Sequence, residues 1–120
     1  MRFPFIVLTI VALSLAIAAP VVAHEGDTCA HDVATVAALR ECVEHAAHHG
    51  HIDNAGVARS LLATLDAAQS AVDQGRNATA IRHLEAFIHE VEAQAGKHIV
   101  AEHADHLIEH TEAVIQTLGR

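Results

Sequence analysis

The 120-residue chain has no tryptophan, no tyrosine and a single lysine. Scarcity of aromatic rings disfavours sheets, and the abundant alanine points instead to close-packed helices. Seven basic residues stand against 15 acidic ones. That balance lacks the basic surface that nucleic acid or anionic lipid headgroups require, and it suits attraction of cations. No glycine-rich phosphate loop, no His-Glu-x-x-His pair and no serine or cysteine in a nucleophile setting is present, so an enzyme is not expected.

Histidine stands where lysine is missing. There are 12: His24, His31, His45, His48, His49, His51, His83, His89, His98, His103, His106 and His110. Imidazole is the commonest metal-ligating side chain and titrates near neutrality. A chain this rich in it is expected to bind divalent metals or to respond to pH, against the plainer reading of an inert helical surface.

Residues 1–23 read as a secretory signal peptide. Met1-Arg2 gives a basic start, Phe5 to Ala18 an apolar run, and Val21-Val22-Ala23 a small-residue cleavage site. The run is short for a membrane span of about 20 residues, and Pro20 interrupts it. The expected mature protein is His24–Arg120, periplasmic or secreted, with no membrane association after cleavage. It has an N-terminal segment at 24–35 and a helical domain at 36–120. Its six basic and 15 acidic residues give a formal charge of −9 with histidine neutral. Cleavage after Ala23 also sets the His24 amino group and imidazole side by side as a Cu(II) chelate, unless that terminus is simply frayed.

Gly50, Gly75 and Gly96 each follow an apolar-periodic stretch, the place of glycine past a helix C-terminus. Asn54 (or Asp53) and Asn77 are candidate N-caps. Helices are expected at about 34–49, 55–74, 78–95 and 100–118. Short connections make neighbours antiparallel, giving an all-α, up-down-up-down four-helix bundle. The expected core stripes are Val36, Leu39, Val43 and Ala46; Ala58, Leu61, Leu65, Ala68 and Val72; Ile81, Leu84, Ile88 and Val91; and Ala104, Leu107, Thr111, Val114 and Leu118. None of these is histidine. Leu39-x-x-Cys-Val and Leu84-x-x-Phe-Ile open the two halves in matching fashion, consistent with a duplicated helix hairpin.

Cys29 and Cys42 are the two cysteines. In an oxidising compartment an even pair favours a disulfide. Were the first helix to begin at Asp32, Cys42 would lie about 15 Å up its axis, beyond the roughly 10 Å that three extended residues reach. The bridge therefore requires a later start, with Thr35 as cap. Two thiolate ligands for a soft metal form the alternative.

The histidines also fall in register. His103, His106 and His110 stand at i, i+3 and i+7 on helix four, beside Leu107. Cys42, His45 and His49 repeat that spacing on helix one, and helix three carries His83 and Glu90 on the same flank. Helix two has Ser60, Thr64 and Ala67 there. Two seams are open: helix four against His83 and Glu90 of helix three, or against helix one. His45, His48, His49 and His51 form a further cluster across a helix end and loop. His89 lies between Glu85 and Glu92 and is expected to face water. For nitrogen-rich sites the Irving–Williams order places Cu(II) ahead of Ni(II) and Zn(II). Metal ions are the expected partners, for sequestration or delivery; no protein partner is indicated.

Two resemblances arise at these residues. Leu84-Glu-Ala-Phe-Ile-His-Glu-Val-Glu-Ala-Gln-Ala-Gly-Lys-His-Ile, with Val57-Ala58-Arg59-Ser60-Leu61 before it, resembles the FIMAH domain, a small helical module of secreted bacterial proteins. That resemblance covers about residues 39–118 and implies a fold without a known chemistry, so a metal-independent interaction module is the alternative function. Arg82-His83-Leu84-Glu85 and the stretch from Glu102 to His110 resemble small periplasmic histidine-rich metal-binding proteins, which are four-helix bundles. By that resemblance His83, His103 and His110 are the leading ligands. Helix two departs from the pattern, lacking the expected histidines.

Overall fold

The computed structural model describes residue 29 and residues 32–120. The segment 1–23, His24 and His31 lie outside the described residues. Four helices follow one another: α1 (Val36–His48), α2 (Ala55–Asp73), α3 (Asn77–Gln94) and α4 (Ala101–Leu118). Each packs on its neighbours in chain order and α4 closes on α1. This is the expected antiparallel four-helix bundle. Among the described residues no helix is long and apolar enough to cross a membrane.

Local chemistry sets the helix ends. Thr35 accepts a hydrogen bond from the Ala38 N–H and Asn54 one from the Val57 N–H, at 3.2 and 3.0 Å. Each satisfies one donor that the first helical turn leaves without a partner. Asn77 does not cap α3. It is the first helical residue, and its amide instead donates to the Leu118 carbonyl at 3.3 Å, tying the start of α3 to the end of α4. At the end of α1, the His51 N–H bonds the Ala46 carbonyl and the Gly50 N–H bonds the Ala47 carbonyl. This double bond pattern needs a left-handed residue, supplied by Gly50 at φ 78°.

The core runs through all four helices. Leu39, Val43, Leu61, Leu65, Leu84, Phe87, Val91 and Val114 are essentially without exposure. Helix α3 is turned slightly from its expected stripe: Ala80 and Phe87 are buried, while Ile81 and Ile88 are half-buried. On α2, Ala71 rather than Val72 is buried. Ala71 and Ala80 are the small buried residues of α2 and α3 here, and Phe87 is the largest of the fully buried side chains. Leu118, expected in the core, is half-buried near the chain end.

The α1–α2 and α3–α4 connections lie at the same end of the bundle and pair with each other. The Asp53 N–H donates to the His98 carbonyl at 3.0 Å, and the Val100 N–H to the His51 carbonyl at 2.9 Å. Ile52 and Ile99 meet there in an isolated bridge and are buried, plugging the end of the core.

Candidate metal centre

The last turn of α1 carries His45 and His48, and His49 is its C-cap. The Gly50 turn then reverses the chain and delivers His51, whose backbone is held to Val100. That bond sets the His51 ring over the first turn of α4, where it stacks on His103 with centroids 3.7 Å apart and planes 16° from parallel. From this contact an unbroken run of imidazoles extends both ways. His103 and His106 are 6.3 Å apart. His51 and His49 are 6.4 Å apart, His49 and His45 4.2 Å, and His49 and His48 5.2 Å. Six rings from α1, one loop and α4 thus form one patch. His48, His49 and His106 are exposed and His45, His51 and His103 half-buried, with Nδ1 of His103 shielded from solvent.

Two imidazoles sharing a tetrahedral ion at about 2.0–2.1 Å place their centroids roughly 5 Å apart. The observed separations run from 3.7 Å in the His51–His103 stack to 6.4 Å and bracket that value. The ring nitrogens are not yet converged. Among the described residues, the group with three donor atoms mutually within 4.8 Å is Cys29, Cys42 and His110. Coordination by the patch therefore requires ring rotations, which the exposed side chains make at little cost, and opening of the parallel His51–His103 stack.

Cys29 and Cys42 form a disulfide, with Cα atoms 5.0 Å apart. Helix α1 starts at Val36 behind the Thr35 cap, the late start that the bridge requires. In this bonded state neither sulfur is a thiolate ligand. Cys42 is buried and Cys29 half-buried.

His110 departs most from expectation. It is not on an open flank but in the interior, 3% exposed. Its Nε2–H donates to the Val33 carbonyl at 2.9 Å, and its Nδ1 lies 3.5 Å from Cys42 Sγ. The chain leading into α1 covers it, so the helical pattern of α4 held no sign of its burial. The core therefore does contain a histidine.

The bundle's hand settles the choice of seam. His45, His103 and His106 line one small cavity with the disulfide, so the helix-four stripe faces α1. His83 instead lines a groove with Ala67, Ser70 and Ala71 of α2. Glu90 accepts a 3.5 Å hydrogen bond from Thr64 of α2. His83 and Glu90 thus lie on the α2–α3 seam, and the pairing of helix four with that side of helix three does not form. His89 is exposed beside Glu92, as expected. His98, not singled out from sequence, is 2.8 Å from the Asp53 carboxylate across the paired loops. A histidine in a loop of no periodicity gives no signal of that partner.

Comparison with curated proteins and with solved structures finds no match. The family model of the FIMAH domain matches residues 36–116, from the first residue of α1 to two residues short of the end of α4. That stretch contains the whole bundle core and both arms of the imidazole patch, and on it the chain belongs to the FIMAH domain family.

Proposed function

We propose that this protein binds divalent transition-metal ions through the imidazole patch of His45, His48, His49, His51, His103 and His106. Cu(II) ranks ahead of Ni(II) and Zn(II), and the role is sequestration or delivery outside the cytoplasm. The carrying observation is the His51–His103 contact. It joins imidazoles from opposite halves of the chain into one surface, which the opening of that stack would turn into a shared ligand set. The formal charge of −9 after residue 23 supports cation attraction, and the segment 1–23 supports export. His110 is not part of this surface, and His83 and Glu90 are set apart on the α2–α3 seam. Exposed and half-buried ligands whose nitrogens are not preset around one point suit a site that exchanges its metal.

Calorimetry of residues 24–120 with Cu(II), Ni(II) and Zn(II) tests the reading. Heat and saturation are expected for Cu(II), and replacing His51, His103 and His106 by Gln should weaken binding at least tenfold with helicity unchanged. No heat and no retention for any of the three ions refutes it. The metal-independent helical interaction module would then be the better account.

A further inference from the structure

A second donor set lies beneath the patch. Sγ of Cys29, Sγ of Cys42 and one ring nitrogen of His110 are mutually within 4.8 Å. Three such donors around Zn(II) define a triangle of roughly 3.5–3.8 Å on edge. The imidazole is already oriented for ligation. Its Nε2–H donates to the Val33 carbonyl at 2.9 Å, which leaves the Nδ1 lone pair directed at Cys42. An imidazole that gives its far N–H to a backbone carbonyl is the usual arrangement of a metal-bound histidine. Directly beside the sulfurs is a cavity of about 20 Å³ bordered by His45, His103 and Leu107. That is enough for a single water, and so for a fourth ligand.

We propose that reduction of the Cys29–Cys42 bridge converts it, with His110, into a buried Cys2His site for a thiophilic d10 cation such as Zn(II). The reductant is a dithiol. One of its thiolates attacks Sγ of half-buried Cys29, the S–S bond breaks, and Cys42 leaves as a thiolate beside His110 and takes up a proton. The second thiol of the reductant then closes its own disulfide and releases Cys29 as a thiol. The protein gains two electrons and two protons, and the reductant loses the same. Zn(II) next displaces both thiol protons, and His110 Nδ1 donates its lone pair. The oxidised protein has no such site, so the bridge acts as a redox gate on a ligand set distinct from the surface imidazoles. Two anionic sulfurs and one nitrogen select a softer ion than the surface imidazoles do.

The test uses Co(II) as the spectroscopic probe, with Zn(II) in competition, on the oxidised and dithiol-reduced chain after removal of the reductant. Reduced protein should give thiolate-to-cobalt charge-transfer absorption that Zn(II) abolishes, and oxidised protein should give none. Surface imidazoles contribute no such band, so this result is independent of the patch. Cys29→Ser should halve the band. His110→Gln should leave the band but weaken Co(II) at least tenfold, with circular dichroism confirming the fold. Absence of the band in reduced protein overturns the proposal, as does unchanged affinity in a folded His110→Gln variant.

Discussion

Reducing the Cys29–Cys42 bridge without changing any atom of the sequence isolates what the covalent tie contributes to stability. The cysteines are 13 residues apart. Closing a loop of that size removes chain entropy from the unfolded state worth about 3 kcal/mol at 25 °C. A new hydrogen bond from the Cys42 thiol to His110 Nδ1, already 3.5 Å from Sγ, returns at most about 1 kcal/mol. The net loss is therefore about 2–3 kcal/mol. In a bundle of this size each kcal/mol moves Tm by roughly 4–8 °C, so the reduced protein should melt about 8–24 °C lower. Urea unfolding followed by far-ultraviolet circular dichroism, with a phosphine reductant and a chelator present, measures the free-energy difference directly. A loss under about 0.5 kcal/mol, the scale of a neutral surface change, would refute the reasoning. It would mean that the segment bearing Cys29 does not restrain the unfolded chain.

Three further outcomes are expected. Phe87→Ala should destabilise the fold by about 3–5 kcal/mol, and Ile88→Ala, at a half-buried position, by clearly less; urea midpoints that rank them the other way would contradict the observed rotation of α3. Gly50→Ala meets no atom within 4 Å but stands at φ 78°, so it should cost about 1–2 kcal/mol from backbone strain alone, read as a lowered Tm. Protons compete with metal for imidazole, so Cu(II) affinity should fall with acidification by up to about tenfold per pH unit for each ligating histidine. Calorimetry at pH 7.5 and 5.5 that gave equal affinities would exclude imidazole as the ligand.

The helices were legible because glycine follows the ends of three of them and Thr35 and Asn54 cap the starts of two. Gly50, Gly75 and Gly96 all have positive φ, and α2 and α3 begin and end within a residue of expectation. The face of α3 was less legible. Ala80, Leu84, Phe87 and Val91 and the set Ile81, Leu84, Ile88 and Val91 are both helical stripes, and only the positions of α2 and α4 decide between them. The seam was not legible either, since the hand of a bundle belongs to the whole chain. His110 was misread because its cover, Val33 and the bridge, comes from outside its helix. The loop pairing left no periodic trace in residues 51–53 and 98–100, although it positions His51 on His103.

That pairing also makes two loop amides into sentinels. The N–H groups of Asp53 and Val100 belong to exposed residues between helices, where amide protons normally exchange quickly. Each is instead bonded across the two halves of the chain. Their deuterium uptake therefore reports the parting of the α1–α2 hairpin from the α3–α4 hairpin, an opening that spectroscopic signals dominated by intact helices pass over. An ion clasped between His51 and His103 spans the same divide, so it should slow those two protons while leaving the frayed helix ends untouched.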